Sequence, residues 1–160
     1  ARRPRSAATV RGPVSAAGGM GDAAGGRAAM ALGAAGVQVG TAYLCADEAT
    51  TTALHRAALQ SEAARHTTLT NVFTGRPARG IVNRVMREMG GSGKTHFATG
   101  LSRAAPAFPL ATNAMAPLRA AAEKAGRTDF SPLWSGQNAT ACLSAPAADI
   151  TRALAAGFKD

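Results

Sequence analysis

The sequence predicts an α/β fold, and three observations carry that prediction. Pro13-Val14-Ser15-Ala16-Ala17 is a short apolar run closed by Gly18-Gly19, the pattern of a buried parallel strand stopped by a glycine turn. Asp22 stands at an N-cap position ahead of residues 23–32, which are helical in composition, and Gly33 supplies a C′ stop. Gly36-Val37-Gln38-Val39-Gly40-Thr41-Ala42 is a second short strand that again ends in glycine. Strand, helix and strand within about 30 residues make a βαβ unit, with a right-handed crossover expected.

Before these elements, residues 1–12 carry Arg2, Arg3, Arg5 and Arg11 without periodicity, and are expected to be a disordered basic tail. Within the first helix, Gly25 and Gly26 each cost about 1 kcal/mol relative to alanine. Close approach to a sheet is expected to offset that cost. Residues 54–65 alternate apolar and polar side chains at helical spacing. The Thr-rich segment Thr67 to Phe73 predicts a short strand. Gly75-Arg76-Pro77-Ala78-Arg79-Gly80 predicts a loop, and Ile81 to Met89 a helix. Gly90 to Pro109 reads as a long flexible connection. Helices are expected over 116–125, with Pro117 in the first turn, and over 149–156.

Composition narrows the function classes. Of 160 residues, 46% are hydrophobic but only 4% aromatic, and about a quarter are alanine. Each buried alanine contributes little at about 25 cal/mol per Å², so such a core requires extensive close packing. The net charge of +9 raises nucleic acid as a partner. The cations outside the N-terminal segment are scattered, however, and the few aromatics do not interleave with them, so no nucleic acid is expected. Cys45 and Cys142 form neither a disulfide framework nor a zinc pattern, which points to free thiols in a cytoplasmic protein. The mildest stretch, 16–46, is interrupted by Asp22 and Arg27 and is no membrane span.

Two motifs fail their context tests. Gly91-Ser92-Gly93-Lys94-Thr95 matches the end of a P-loop, but Glu88 occupies its first glycine position and the preceding residues are helical in pattern. His55, His66 and His96 are far apart and lack partners at ligand spacing, so no metal site is expected. The strand-end glycines pass. In parallel α/β folds, ligands bind at the carboxyl ends of strands, and glycine there lets backbone N–H groups approach phosphate oxygens. Gly18, Gly19, Gln38, Val39, Gly40 and Thr41 are therefore the candidate binding residues, with Gln38 and Thr41 offering side-chain donors. Two ordinary strand-to-helix turns are the competing reading.

The same blocks carry a resemblance. Pro13 to Met20 and Gly36-Val37-Gln38-Val39-Gly40-Thr41-Ala42-Tyr43-Leu44 resemble the FMN phosphate region of the nitronate monooxygenases, formerly 2-nitropropane dioxygenases. The likeness continues through Phe73-Thr74-Gly75-Arg76-Pro77-Ala78-Arg79-Gly80-Ile81, Asn113-Ala114-Met115-Ala116-Pro117-Leu118-Arg119 and Leu133-Trp134-Ser135-Gly136-Gln137, in the family's order. It implies a flavin-dependent TIM barrel that oxidises alkyl nitronates with O2 to a carbonyl compound and nitrite. Gly18 and Gly19 would then end the seventh strand, with Gln38, Val39, Gly40 and Thr41 at the eighth, all holding the FMN phosphate. Ser15 departs from the family's bulky aliphatic residue, and Met20 from its Ile or Val.

A full barrel needs about 250 residues. The resemblance therefore implies the C-terminal part of a TIM (β/α)8 barrel: the last two βα units over 13–66, then a mostly helical C-terminal extension over 67–160. The family's catalytic histidine belongs to a Gly-Gly-His segment that this sequence lacks, so no catalytic residue is assigned and the chain alone is expected to be inactive. Arg76 and Arg79 suit either an anion or a structural ion pair. Two other readings stand beside this one: part of an FMN-dependent enoyl reductase on the same barrel, and a truncated chain with no independent function.

Overall fold

A computed structural model describes residues 9–90, 101–140 and 142–158. Most of the expected basic tail, the P-loop-like Gly91–Thr95, His96 and much of the expected connection after Gly90 lie outside these. The chain divides into two compact units: residues 1–51 with 137–160, and residues 52–136. The expected division at 66/67 falls inside the second unit.

The first unit contains the βαβ segment. Strand β1 (Ser15–Ala17) runs parallel to β2 (Gly36–Gln38), with Ser15 opposite Gly36, Ala16 opposite Val37 and Ala17 opposite Gln38. Helix α1 (Ala23–Ala31) connects them. Its N-terminus is capped as expected: the Asp22 carboxylate accepts from the Gly25 N–H at 2.7 Å. At the other end Gly33 takes φ +93°, a left-handed conformation that favours glycine. β1 is not the buried strand expected, since Ser15 and Ala17 are exposed. Among the described residues it has one neighbouring strand, and only Ala16, on the opposite face, is half-buried.

The first-helix glycines also find a different partner from the sheet expected of them. A Cβ on Gly26 would stand 3.2 Å from the Phe158 ring, and one on Gly157 only 2.4 Å from the Ala23 carbonyl oxygen. α1 thus meets the closing 3₁₀ turn, Ala156–Phe158. The second strand is shorter than 36–42. It ends at Gln38, and Thr41–Cys45 winds into a 3₁₀ turn that begins at Gly40. Helix α5 (Ala147–Ala155) lays Ile150 and Leu154 against Ala42 and Ala46 of that turn and its end. This is the close-packed, small-residue core that the alanine content requires.

In the second unit, α2 (Ala53–Leu59) starts at a Thr52 cap and stops six residues before the expected Arg65. The Ser61 hydroxyl donates to the Ala58 carbonyl at 2.8 Å, diverting a helical acceptor, and a 3₁₀ turn follows at Glu62–Arg65. Strand β3 (Thr67–Thr70) pairs antiparallel with β4 (Ala78–Ile81). The loop expected over 75–80 is therefore half strand. Arg79 secures the pairing by donating across the hairpin to the Thr67 carbonyl at 3.1 Å, and Gly80 bridges to Trp134.

Helix α3 (Arg84–Met89) is capped by Asn83, whose buried amide also donates to the carbonyls of Thr128 at 3.0 Å and Ser131 at 2.9 Å. Helix α4 (Leu110–Lys124) starts six residues earlier than expected, so Pro117 lies in its interior and not in the first turn. Val72, Phe73, Val85, Met86 and Met115 form the core, and Phe73 meets Trp134 edge-on at 5.6 Å between centroids.

Candidate cofactor site

The parallel register brings the two strand-end turns together. Ala17 and Gln38 are partners, so Gly18-Gly19 and Val39-Gly40-Thr41 emerge side by side at the carboxyl edge of the same sheet. Gly18 has φ +91° and Gly19 φ +69°, values open to glycine at little cost. Among the described residues, apart from the adjoining ones in the chain, no atom stands within 4 Å of where a Cβ would sit on Gly18, Gly19 or Gly40. The ground in front of these three backbones is open, which is what a phosphate group or a comparable anion requires of a cradle. Gln38 is exposed. Val39 differs: its side chain packs on the Ala42–Leu154 core, leaving only its backbone for a ligand.

Behind Gly18-Gly19 the chain enters α1 directly. Gly21, Asp22 and Ala23 line a cleft of about 400 Å³ together with Leu143, Ile150 and Leu154. The cleft is mainly apolar, with Asp22 and Thr140 as its polar points.

The turn after β2 is fastened from the far end of the sequence. The Cys142 thiol donates to the Thr41 carbonyl at 3.1 Å. The Tyr43 hydroxyl pairs with the Thr151 hydroxyl at 2.8 Å. Sequence reasoning found the glycines but neither of these fastenings, because no local pattern signals a contact between residues about a hundred positions apart. Burial and the neighbouring Cys45 push the Cys142 thiol up to about 11, so it stays protonated near neutral pH.

The other sequence candidates take structural places in the second unit. The Arg76 guanidinium lies over the Phe108 ring at 4.2 Å, and Arg79 serves the hairpin. His55 Nε2 lies 3.0 Å from the Trp134 carbonyl, so that nitrogen carries the proton. Burial holds the His55 pKa below its ordinary 6.5, against the opposing effect of this hydrogen bond and with a small contribution from Arg119.

The family model for nitronate monooxygenase matches residues 4–157. The chain belongs to the nitronate monooxygenase family. It is 38% identical over 142 residues to the nitronate monooxygenase of Pseudomonas aeruginosa, covering 89% of this chain and 38% of that protein. Against the nitronate monooxygenase of Paraburkholderia phytofirmans the identity is 37%, with 89% and 37% covered. Among solved structures, nitroalkane oxidase from Streptomyces ansochromogenes superposes with a TM-score of 0.76 at 38% identity, over 93% of this chain and 40% of the other. FabK from Thermotoga maritima gives 0.67 at 25% identity, over 95% and 46%. These likenesses support the α/β class, and the chain spans about two fifths of the length of the family relatives it matches. No helix among the described residues is long and apolar enough to cross a membrane.

Proposed function

We propose that this chain forms the phosphate-holding end of the flavin site in a nitronate monooxygenase, within the last two βα units of a TIM barrel. The observation that carries the proposal is the side-by-side pair of open glycine turns at the carboxyl edge of β1 and β2. The residues suit FMN: the Gly18, Gly19 and Gly40 backbones are unobstructed, and the Thr41 hydroxyl and Gln38 amide add donors beside them. Bound FMN would supply the redox chemistry by which an alkyl nitronate and O2 become a carbonyl compound and nitrite.

The chain's own residues have binding and orienting work. Backbone N–H groups of the two turns neutralise part of the phosphate charge, and the core contact of Val39 keeps their spacing rigid. No proton transfer is assigned to His55, whose Nε2 hydrogen is committed to the Trp134 carbonyl. The identity of 38% to nitronate monooxygenase and nitroalkane oxidase sequences, against 25% to FabK, favours this reading over an enoyl reductase.

The test is a titration of the chain with FMN and with riboflavin, which lacks the phosphate. The expected result is tighter binding of FMN, with Thr41→Val weakening FMN by about 3- to 10-fold, the value of one hydrogen bond. Equal affinity for the two flavins would overturn the assignment. In the same preparation, nitrite release from an alkyl nitronate is expected to stay at background, because the sequence lacks the Gly-Gly-His segment that carries the base expected of the family. Turnover in the ordinary enzymatic range of about 1–10³ s⁻¹ would overturn that expectation.

A further inference from the structure

The two buried cysteines are unexplained by anything in the proposed chemistry. Cys45 is fully buried and Cys142 is 8% exposed. Cys45 ends the 3₁₀ turn over Thr41–Cys45, and its thiol lies near enough to Cys142 to help raise the pKa of the Cys142 thiol. We infer that Cys142 is a positioning residue for phosphate binding: its thiol, by donating to the Thr41 carbonyl, holds the Val39–Thr41 turn in the shape that presents its donors. The inference rests on the reading of the strand ends as a phosphate site.

The arrangement of anchors is the argument. On one side of Gly40, Val39 is held by the core. On the other, Thr41 is held by the Cys142 thiol at 3.1 Å, and Tyr43 by Thr151 at 2.8 Å. Only Gly40 between them faces open space. Because the peptide unit is planar, an accepting carbonyl at Thr41 sets the whole Thr41–Ala42 plane and the torsion that relates it to the Thr41 side chain. The bond spans 101 residues of sequence, so it also ties the turn to the segment leading into α5. The high thiol pKa, caused first by burial, keeps Cys142 an S–H donor and makes it a poor nucleophile. That chemistry suits a fixed donor and argues against a redox sensor.

The test compares FMN with riboflavin affinity in Cys142→Ala and Cys142→Ser, with thermal melts as a check on folding. Cys142→Ala is expected to weaken FMN by about 3- to 10-fold while riboflavin affinity changes less than about twofold. Cys142→Ser, which keeps a donor, is expected to restore most of the FMN preference. If Cys142→Ala does not fold, Cys142→Val, which fills the space and cannot donate, takes its place. An unchanged FMN-to-riboflavin ratio in the donor-less variant overturns the role of Cys142 and leaves the phosphate site standing. Loss of both flavins in parallel overturns it in favour of a purely structural thiol. A wild-type chain with no preference for FMN overturns the phosphate site itself, and the inference with it.

Discussion

At Gly75 the backbone has φ +89°, and a Cβ would stand 2.3 Å from the Phe108 nitrogen and 2.7 Å from the Pro106 carbonyl oxygen. Both neighbours are main chain and cannot swing aside. Gly126 has a similar φ of +71° with nothing within 4 Å. The two positions therefore separate conformational strain from steric overlap. Gly126→Ala is expected to cost about 1–2 kcal/mol, the left-handed penalty alone. Gly75→Ala is expected to cost at least about 2 kcal/mol more, comparable to overpacking a core. Urea midpoints measure both, and equal losses would show that the 106–108 segment yields.

His55 offers a second residue-scale prediction. Its folded pKa is depressed by burial, so the folded state favours the neutral ring. Stability from this group is full above the unfolded value of about 6.5 and is lost as pH falls through the folded value. The Tm is expected to drop between about pH 7.5 and pH 5.5, and to drop less in His55→Gln. An identical pH profile in the variant would refute the assignment.

Among the elements, α4 holds Pro117 in its interior, where proline removes a helical N–H and crowds the carbonyl of Asn113. Pro117 is exposed, so little packing depends on its ring. Pro117→Ala is expected to stabilise the chain by about 1–3 kcal/mol, seen as a rise in Tm of about 2–4 °C per kcal/mol; an unchanged Tm would mean that the ring is needed. This helix also shows why sequence reading reached some boundaries and missed others. Asp22 and Gly33 mark α1 through chemistry confined to one turn, an Asp side chain on a nearby N–H and a glycine at positive φ, and both ends are legible. Pro117 suggests a first turn by its own preferences, but Ala111 and Met115 bury themselves on the core and draw the helix back to Leu110. β4 is invisible for a related reason. Arg79 and Gly80 are poor strand formers, and they are extended because Thr67 and Trp134 hold them so.

For the whole molecule, charge and edges oppose one another. The chain carries +9, and β1 and β2 form a two-stranded sheet in which each strand has one hydrogen-bonded neighbour among the described residues. Open strand edges invite pairing between chains, and like charge resists it. Raising salt from about 0.1 M to about 1 M shortens the screening length from about 10 Å to about 3 Å, so the mass measured by light scattering is expected to rise. A constant mass would show that the edges are protected by something other than charge. The sequence by itself determined the α/β class, the family, the caps of α1, the Gly18-Gly19 pair after β1 and the single Gly40 after β2, because each is written in neighbouring residues or in blocks whose order survives. The tertiary structure alone decided that those glycine turns stand side by side, that Cys142 fastens Thr41, and that α4 extends past its proline. These depend on contacts between residues far apart in the chain, where the free energy of packing outweighs local preference.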